Sequence, residues 1–488
     1  MKSYDIIVIG GGSGGLVVAV GAAQLGARAA LIEKKALGGD CLYTGCVPSK
    51  TLIRSARFAA DARRAVDFGF TLSETHFVNE SFAAITDRVQ RVIETVGKHD
   101  DPERFRAMGV DVIFGVPRFL SPSELEIESA QHSNGTKQII KARRFCISTG
   151  SRPAVPSISG LEETGFVTNE EIFQLNSLPQ SLIVLGGGPV GLELGQSFAR
   201  FGSEVTIVEM GDRLLPKEDE EISAGIERHL RTEGLKILLR TKAIRAEAVD
   251  GHKKVTVKQD GELRDLHAKE ILVATGRWAN VDDLNLDAAG VKYDKQRIFT
   301  DAYLRTSAPH IYAAGDVTGH FPFTHMAAYE AAVVVRNALF FWPLTQKTDF
   351  RVVPWATFTD PEVARVGLTE REACERYGSN DIQVYSTNFE ENDRANAEED
   401  TRGFVKIICQ RRNDAILGAH IIGAHAGELI HEVVLAMKHR LPVTSLGGLI
   451  HIYPTLTQVN QRAGLEAMRA KLTPLAKRVL AYYFSWWH

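Results

Sequence analysis

The sequence predicts an α/β protein in which two glycine-rich βαβ units are followed by a smaller α+β domain. The first observation is a repeat, because the motif G-x-G-x-x-G occurs at residues 10–15 and again at 186–191. The second is its setting, since each copy follows a β-branched run and precedes a helical stretch. The third is a change of pattern after Phe350, where short strand-like runs and two helical stretches replace the glycine-rich units.

Length, charge and cysteine content describe an ordinary globular protein. The 488 residues suggest about three domains, and 44% apolar residues are enough for several cores. With 57 basic and 60 acidic residues, the net charge is -3, so the composition does not indicate the excess of positive charge that is typical of nucleic-acid-binding proteins. We find no signal peptide and no apolar run of about 18 residues, so we expect a cytoplasmic protein without a membrane span. Five cysteines are too few for a disulfide framework, and no resident metal site is predicted.

The first βαβ unit has the features of a Rossmann-like dinucleotide-binding domain. A strand-like run, Tyr4 to Ile9, leads into a helical stretch, Leu16 to Leu25, and a second strand, Ala29 to Glu33. The glycines between them permit a tight turn and the close approach of a pyrophosphate to the helix N-terminus. Glu33, eighteen residues after the last of these glycines, can accept hydrogen bonds from a ribose. The alternative is a glycine-rich turn between packed elements. The three glycines are Gly10, Gly12 and Gly15.

The second unit repeats the first. Strand-like runs Leu182 to Leu185 and Val205 to Val208 flank a helical stretch, Leu192 to Phe201. Glu209 lies eighteen residues after the last glycine, as in the first unit, and the matched spacing predicts a second nucleotide. A carboxylate there would repel a 2'-phosphate, and the nearest arginine is Arg213, so NADH is favoured over NADPH. The glycines of this copy are Gly186, Gly188 and Gly191.

Several strand ends carry further candidate residues. Each unit closes on a similar sequence, with Thr149-Gly150 in one and Thr275-Gly276 in the other. A strand-like run ends at Asp316, which alone would suggest a capping aspartate. Strand character also surrounds Gly115, and 51–101 is predicted to be helical. The predicted parts are residues 1–150, 151–276, 277–345, 346–470 and an aromatic tail, 471–488.

Two cysteines separated by four residues, Cys41 and Cys46, are the candidate redox centre. A regular helix would carry Cys46 about 7.5 Å along its axis from Cys41, near or past the limit for a disulfide. If the sulfurs pair, the backbone must depart from a helix, which Gly45 would allow, and Pro48 suits a helix start. Buried structural cysteines or half of a zinc site are the alternatives. The other three cysteines are treated as structural: Cys146, Cys374 and Cys409.

Together these motifs resemble those of the flavin-dependent pyridine nucleotide-disulfide oxidoreductases, which include dihydrolipoamide dehydrogenase, glutathione reductase and mercuric reductase. The similarity runs from Tyr4 to about Gly464 and is most specific in the cysteine stretch. It implies a homodimer in which the C-terminal α+β dimerisation domain of one subunit completes the active site of the other. Three further sequences contribute: Ala274-Thr275-Gly276-Arg277, Ala314-Gly315-Asp316 and Tyr453-Pro454-Thr455.

The resemblance implies FAD in the first unit and NAD in the second. Glu33 would bind the FAD ribose and Asp316 the ribitol, whereas Glu209 would bind the ribose of NAD. Cys46 would be the charge-transfer thiolate, its pKa lowered by Lys50 and a helix N-terminus, and Cys41 the interchange thiol. The residues implied for FAD are Gly10, Gly12, Gly15, Glu33, Lys50, Gly115, Thr149, Gly150 and Asp316. Those for NAD are Gly186, Gly188, Gly191, Glu193, Glu209 and Gly276, with Glu193 beside the nicotinamide.

One departure concerns proton transfer. Disulfide reductases of this family carry H-x-H-P-T-x-x-E, whereas this chain has Tyr453 in place of the second histidine and Gln458 in place of the acid. A phenol with a pKa of about 10 is a poor base, and losing a general base costs about 10²–10⁴-fold. His451 is one step removed along the run and is expected to point elsewhere.

The sequence therefore predicts an NADH-dependent, FAD-containing reductase that acts on a soft metal ion or thiol-reactive acceptor. Tyrosine at this position is typical of mercuric reductase-like members, although the N-terminal metal-binding domain and C-terminal cysteine pair of that enzyme are not found here. Dihydrolipoamide dehydrogenase or another disulfide reductase is the first alternative. A non-catalytic redox-sensing flavoprotein is the second. The aromatic tail is interpreted as disordered, self-packed, or docked on a neighbour or a membrane surface.

Overall fold

A computed structural model describes residues 2–70, 79–129 and 137–487. The helical prediction for 51–101 therefore lies partly outside the described residues, at 71–78, as does the last tail residue, His488. The chain divides into two compact units. The first comprises Met1–Gly186, Ser197–Val205 and Ala243–Asp349, and the second comprises Gly187–Gln196, Thr206–Lys242 and Phe350–His488.

The strands are numbered in chain order. Those up to the middle of the chain are β1 Lys2–Ile9, β2 Ala29–Glu33, β3 Val110–Ser121, β4 Glu124–Ser129, β5 Lys137–Ile147, β6 Ser151–Pro153, β7 Ser181–Leu185, β8 Glu204–Val208, β9 Lys236–Leu238 and β10 Thr241–Val249. The remainder are β11 His252–Gln259, β12 Glu262–Ala268, β13 Glu270–Val273, β14 Arg277–Ala279, β15 Ile311–Ala313, β16 Pro354–Thr357, β17 Glu362–Gly367, β18 Ile382–Asn388, β19 Phe404–Gln410 and β20 Ala415–Gly423.

The helices are numbered in the same way. They are α1 Ser13–Gln24, α2 Gly39–Tyr43, α3 Cys46–Arg63, α4 Asn79–Gly97, α5 Pro102–Ala107, α6 Leu161–Thr164, α7 Pro189–Phe201, α8 Glu220–Thr232, α9 Thr324–Leu339, α10 Glu370–Tyr377, α11 Asp393–Ala397, α12 Ala426–Lys438, α13 Thr444–Gly447, α14 Gln458–Ala470 and α15 Pro474–Ser485. Among the helices that the structure describes, none combines the length and apolar character needed to cross a bilayer.

A six-stranded sheet organises the first unit. Strand β1 lies between β2 and β5 and is parallel to both, and β15 pairs in parallel with the other side of β5. Both faces of β1 are buried, with Ile6 and Val8 in one core and Ile7 and Ile9 in the other. Burial on both faces explains why the predicted strand is a nearly continuous apolar run. The parallel arrangement brings the carboxyl ends of β1, β2, β5 and β15 to one edge.

Three smaller pairings complete this unit. Strands β7 and β13 are parallel, with Leu182 opposite Glu270, and β6 pairs antiparallel with β14. Strands β10, β11 and β12 form a three-stranded sheet. This sheet was not predicted from the sequence, because the charged residues of its exposed strands give little hydrophobic periodicity.

The second unit contains the predicted α+β domain. Its five strands are arranged in the order β16-β17-β20-β19-β18, with antiparallel pairing throughout. Helices α12 and α14 contribute Val433 and Ala463 to the core that covers the sheet. In the same unit, β8 and β9 pair in parallel. The predicted strands and helices of this domain are confirmed to within a few residues, whereas strands β17 and β18 and helices α10, α11, α13 and α15 were not predicted.

Candidate active site

The glycines of the first motif have two different roles. Two of them are required by the close packing of the backbone, and one leaves space for a ligand. Gly10 has a φ of +106°, and a Cβ there would lie 2.3 Å from the carbonyl oxygen of Ser148. A Cβ on Gly15 would lie 1.8 Å from the carbonyl oxygen of Gly10, so both positions exclude side chains for reasons of packing. At Gly12, however, the nearest atom would be 3.8 Å away. Gly12 therefore leaves room at the N-terminus of α1, which fits the approach of a pyrophosphate.

The second motif has the same two roles, with one glycine required by packing and another left open. Gly186 has a φ of +116°, and its Cβ would lie 2.4 Å from the carbonyl oxygen of Ala274. Gly188 would meet no atom within 4 Å, as expected for a position kept open for a ligand. Gly191 lies in the first turns of α7.

The two predicted ribose-binding carboxylates are held in the same way. Glu33 accepts hydrogen bonds from the backbone N–H groups of Gly11 at 2.7 Å and Lys35 at 2.8 Å. Glu209 accepts from Gly187 and Gly211, both at 2.6 Å. Each carboxylate thus accepts one hydrogen bond from the second residue of its glycine motif and one from the residue two positions after the glutamate itself. The eighteen-residue spacing found in the sequence is therefore accompanied by a repeated hydrogen-bonding geometry.

The other predicted cofactor residues lie at strand ends. The Thr149 hydroxyl donates to the Asn280 carbonyl at 2.7 Å, and Gly150 has a φ of +71°. Gly276 has a φ of +130°, which a side chain would strain. Gly115 lies within β3, where a Cβ would be 2.5 Å from Ile127 on the neighbouring strand, so strand packing already requires this glycine.

Asp316 occupies the first position of a short 3-10 helix and belongs to a polar network. Its Oδ2 accepts a hydrogen bond from the Ser151 hydroxyl at 2.6 Å. Arg277 donates to that hydroxyl at 2.7 Å and to the Asp40 carboxylate at 2.9 Å. Burial raises the pKa of Asp316, although Ser151 and Arg277 act in the opposite direction. The network connects the predicted ribitol-binding residue to the residue before Cys41.

The backbone between the cysteines departs from a helix, as predicted. Helix α2 ends at Tyr43, and α3 begins at Cys46. Gly45 has φ -119° and ψ -115°, which are not helical values, and its Cβ would lie 2.9 Å from the Asp40 carbonyl oxygen. Pro48 is the third residue of α3, where the missing N–H costs no helical hydrogen bond.

The Cys41 and Cys46 thiols are not joined by a disulfide in this structure, and they interact with each other. Cys46 Sγ lies 3.3 Å from the Thr324 hydroxyl, at the first residue of α9. Cys46 is also the first residue of α3, so two helix N-termini favour negative charge at this sulfur. The hydrogen bond to Cys46, then burial, then the charge of Cys46 raise the pKa of the Cys41 thiol, whereas Thr324 lowers it. The surroundings of Cys41 therefore favour a protonated thiol, and those of Cys46 favour a thiolate.

Lys50 follows Cys46 by one turn of α3, which places both residues on the same side of that helix. Its ammonium group lies 3.4 Å from the Ser49 hydroxyl. Among the other cysteines, Cys146 and Cys409 are buried in apolar cores, and Cys374 packs against a third. These contacts agree with structural roles for the three.

The raised pKa of Cys41 makes its alkylation sensitive to pH. In the reduced protein we expect the initial rate of Cys41 modification by iodoacetamide to rise about tenfold per pH unit between about pH 7 and pH 9, because only the thiolate reacts. Cys46→Ala removes the hydrogen bond and the charge that raise the pKa of Cys41, although burial remains, and should accelerate the reaction at pH 7. Thr324→Val removes a hydrogen bond that lowers the pKa and should slow it, whereas Thr324→Ser should not. Mass spectrometry of the Cys41 peptide measures each rate, and a rate independent of pH would contradict the assignment.

The position of the missing base is occupied by an exposed phenol. The Tyr453 hydroxyl donates to the Asp393 carboxylate at 3.1 Å, and this hydrogen bond, with the charge of Asp393, raises the pKa of Tyr453. Gln458 instead accepts from the Thr455 backbone N–H at 3.3 Å. The raised pKa leaves even less phenolate, the form that accepts a proton, at neutral pH than in free tyrosine.

His451 faces a different environment. Its side chain is 6% exposed, and its Nε2 lies 2.9 Å from the Glu432 carboxylate. Tyr453, by contrast, is 67% exposed. The expectation that His451 points away from the Tyr453 position is confirmed.

Glu193, the residue predicted to lie beside the nicotinamide, is buried on α7. One of its carboxylate oxygens accepts a hydrogen bond from the Phe358 backbone N–H at 2.8 Å. This bond fixes the carboxylate.

Sequence reasoning missed four contributors to these arrangements. No role was assigned from the sequence to Asp40, Ser151, Arg277 or Thr324. The similarity between the two strand-end sequences was the one feature of the sequence that pointed to Arg277. Nothing in the sequence pairs Thr324 with Cys46, because 278 residues separate them.

Comparisons with known proteins agree with this arrangement. The family model described as pyridine nucleotide-disulphide oxidoreductase matches residues 4–331, and its dimerisation domain matches residues 353–463. Dihydrolipoyl dehydrogenase from Bacillus subtilis is 34% identical over 473 residues, covering 95% of this chain and 98% of that protein. Mercuric reductase from Lysinibacillus sphaericus is 34% identical over 464 residues, covering 95% of this chain and 82% of that protein.

A solved structure is similar over nearly the whole chain. The Cu(II) complex of the HOCl-induced flavoprotein disulfide reductase RclA from Escherichia coli has a TM-score of 0.83 and 30% identity, covering 95% of this chain and 99% of that chain. The open positions at Gly12 and Gly188 and the paired carboxylates Glu33 and Glu209 fit two dinucleotides. The chain therefore belongs to the pyridine nucleotide-disulphide oxidoreductases, the flavoenzymes that use FAD and NAD(P)H.

Proposed function

We propose that this protein is an NADH-dependent reductase that passes electrons through Cys41 and Cys46 to a soft metal ion, either Cu(II) or Hg(II). The observation that carries the proposal is the Tyr453 phenol, which donates to Asp393 at the position where a disulfide reductase needs a base. A metal ion that binds sulfur requires no such base, because it displaces the thiol proton itself. The names of two relatives, a mercuric reductase and a reductase solved with Cu(II), support this class of acceptor.

The residues of the chain have distinct tasks in this reaction. Bound FAD would supply the two-electron chemistry that links NADH to the Cys41–Cys46 disulfide. Gly12, Glu33 and Asp316 are the residues that would hold it. Cys46 then carries the negative charge, held by Thr324 and two helix N-termini, and Cys41 keeps a proton. The metal ion binds both sulfurs and releases that proton to water. Two Cu(II) ions take one electron each, or one Hg(II) takes two, as the disulfide forms again.

The soft metal is expected to bind well at this pair. Thiolates prefer soft and borderline ions such as copper over hard ions such as Mg²⁺. The two thiols, Cys41 and Cys46, interact with each other, so one ion can bind both sulfurs.

The test is NADH oxidation by the purified flavoprotein under anaerobic conditions with a panel of acceptors. We expect turnover with Cu(II) and Hg(II), and little with lipoamide, oxidised glutathione or quinones. Turnover with lipoamide that exceeds turnover with either metal would overturn the proposal. Reduction by NADH that stops after one equivalent with every acceptor would instead indicate a redox-sensing flavoprotein.

A second candidate function is dihydrolipoamide dehydrogenase, favoured by the 34% identity to the enzyme from Bacillus subtilis. The pyridine nucleotide sites are compatible with it. The hydrogen bond from Tyr453 to Asp393 argues against it, because the phenol is already a donor and its pKa is raised. Steady-state lipoamide turnover separates the two functions.

We propose that NADH is preferred to NADPH because of Glu209. Its carboxylate is fixed by two backbone N–H groups, and Arg213 is engaged by Glu220 and the Pro216 carbonyl. A 2'-phosphate would therefore meet a negative charge, and like charges at contact cost several kcal/mol.

The cofactor preference predicts a measurable ratio. We expect kcat/KM for NADH to exceed that for NADPH by about 10²-fold. Glu209→Gln keeps a hydrogen-bond acceptor and removes the charge, so it should lower the ratio of kcat/KM for NADH to kcat/KM for NADPH by at least about tenfold. Asp212→Asn, three residues further along and exposed, removes the same charge and should leave the ratio unchanged. Equal use of both cofactors by the unaltered chain would contradict the role of Glu209.

We also propose a homodimer with Tyr453 of one subunit beside the thiols of the other. Apolar side chains adjoin Tyr453 on the surface of the second unit, among them Ile450 at 101% exposure and Ile452 at 80%. Such a run is typical of a surface that another subunit covers, and residues 353–463 match a dimerisation domain. The five-part division of the chain and a cytoplasmic location remain predictions from the sequence.

A further inference from the structure

The C-terminal segment forms an amphipathic helix that leaves its apolar side chains in water. Thr473 caps α15 by accepting a hydrogen bond from the Ala476 N–H, and Pro474 occupies the first helical position. The structure describes every residue of α15, and it buries none of them. Leu475 is 71% exposed and Trp486, just after the helix, is 73% exposed. Local sequence signals therefore specify the helix, and no packing of its apolar side explains it.

The helix separates apolar from polar residues. At about 100° per residue, the apolar side chains cover an arc of about 200°. Lys477, Arg478 and Ser485 lie on the remaining arc together with Ala481. The apolar arc comprises Leu475, Val479, Leu480, Tyr482, Tyr483 and Phe484, and it continues into Trp486 and Trp487.

Aromatic contacts organise the end of this face. Tyr482 packs edge-on against Trp486 with ring centroids 5.8 Å apart, and Tyr483 contacts Trp487 at 5.6 Å. Tyrosine and tryptophan combine an apolar ring with a polar group, and both are enriched at membrane–water interfaces. A face rich in these residues is suited to the boundary between lipid and water.

Charge decides between the possible occupants of this face. The whole chain carries a net charge of -3, yet no acidic residue follows Glu466. The exposed charges on α15 are both basic, so the segment is complementary to an anionic surface. A helix of 12 residues is about 18 Å long, too short to cross a hydrocarbon core of about 30 Å. An anionic lipid surface offers both an apolar layer for the aromatic face and negative charge for Lys477 and Arg478.

We propose that α15 with the following tryptophans is an interfacial helix that attaches this enzyme to an anionic lipid bilayer. The helix lies in the plane of the membrane, with its apolar arc among the acyl chains and its basic residues at the headgroups. This attachment is independent of the electron acceptor and of the redox reaction.

The test is sedimentation of the full-length flavoprotein with vesicles of phosphatidylcholine alone, or of phosphatidylcholine mixed with phosphatidylglycerol. We expect binding to the mixed vesicles that weakens as salt is raised, and little binding to phosphatidylcholine alone. Val479→Asp, in the middle of the apolar arc, should reduce binding by at least about tenfold. Ser485→Asp makes the same charge change on the polar arc and should reduce it by only about fivefold, the effect of one charge near the surface.

Other outcomes would overturn the proposal. Equal binding to both kinds of vesicle would show that the basic residues do not contribute to attachment. Equal losses of vesicle binding in the two aspartate variants would show that the apolar arc does not contribute. Absence of vesicle binding, combined with a change of oligomeric state in Val479→Asp by light scattering, would assign the face to a second copy of the chain. Flavin content and NADH-dependent reduction should remain unchanged in both variants and serve as the control for folding.

Discussion

Replacing either Cys41 or Cys46 with serine is expected to lower the turnover of Cu(II) or Hg(II) by about 10³-fold or more. Both sulfurs are required because the pair supplies two electrons only by closing a disulfide. A serine hydroxyl cannot form that bond and is a poor ligand for a soft ion. NADH should still reduce the flavin in both variants, since that step precedes the disulfide.

The two variants should differ in one spectroscopic property. Thr324 and two helix N-termini favour negative charge on Cys46, whereas the raised pKa of Cys41 favours its protonated thiol. The oxidised Cys41→Ser variant should therefore show long-wavelength thiolate-to-flavin absorbance before NADH is added, and the oxidised Cys46→Ser variant should show none. Anaerobic NADH should abolish the absorbance by reducing the flavin. The opposite result would exchange the roles of the two cysteines.

The loss of turnover in the double variant provides a further check that the two cysteines act together. Because the cysteines act as a unit, the double variant should be no slower than either single variant. Cys374→Ser is the matched control, since Cys374 packs against a different core and should retain full turnover. Substantial metal reduction by the double variant would show that another route carries the electrons.

Tyr453→His is expected to raise lipoamide turnover by about 10²-fold, because it restores a base that ionises near neutral pH. Asp393, which now accepts the hydrogen bond of the phenol, is positioned to orient the introduced imidazole. Adding Gln458→Glu should raise the rate further by restoring the acid found in disulfide reductases. Turnover with Cu(II) should not change, since the metal displaces the thiol proton itself.

Tyr453→Phe separates the phenol from the aromatic ring. If the phenol is only a donor to Asp393, its removal should leave the slow lipoamide reaction unchanged at pH 7. A tenfold or greater loss, on the order of a missing base, would mean that the tyrosine takes part in proton transfer. In the unaltered protein, lipoamide turnover should increase with pH, because the raised pKa of Cys41 leaves little thiolate at neutral pH.

The sequence by itself determined the architecture of the nucleotide-binding elements. Each β-branched run, glycine motif and helix is encoded within about thirty consecutive residues. The equal spacing of Glu33 and Glu209 from their motifs was sufficient to predict a repeat, which the structure shows as equal sets of hydrogen bonds. The break at Gly45 was also predictable, because a helix cannot bring Cys41 and Cys46 together.

Only the tertiary structure decided the protonation and the surroundings of the thiols. Thr324 approaches Cys46 across 278 residues of chain, and Arg277 approaches Asp40 across 237. Such contacts depend on how distant elements pack, which local periodicity does not encode. The raised pKa of Cys41 likewise arises from a neighbouring sulfur, burial and charge, and each of these exists only once the chain has folded.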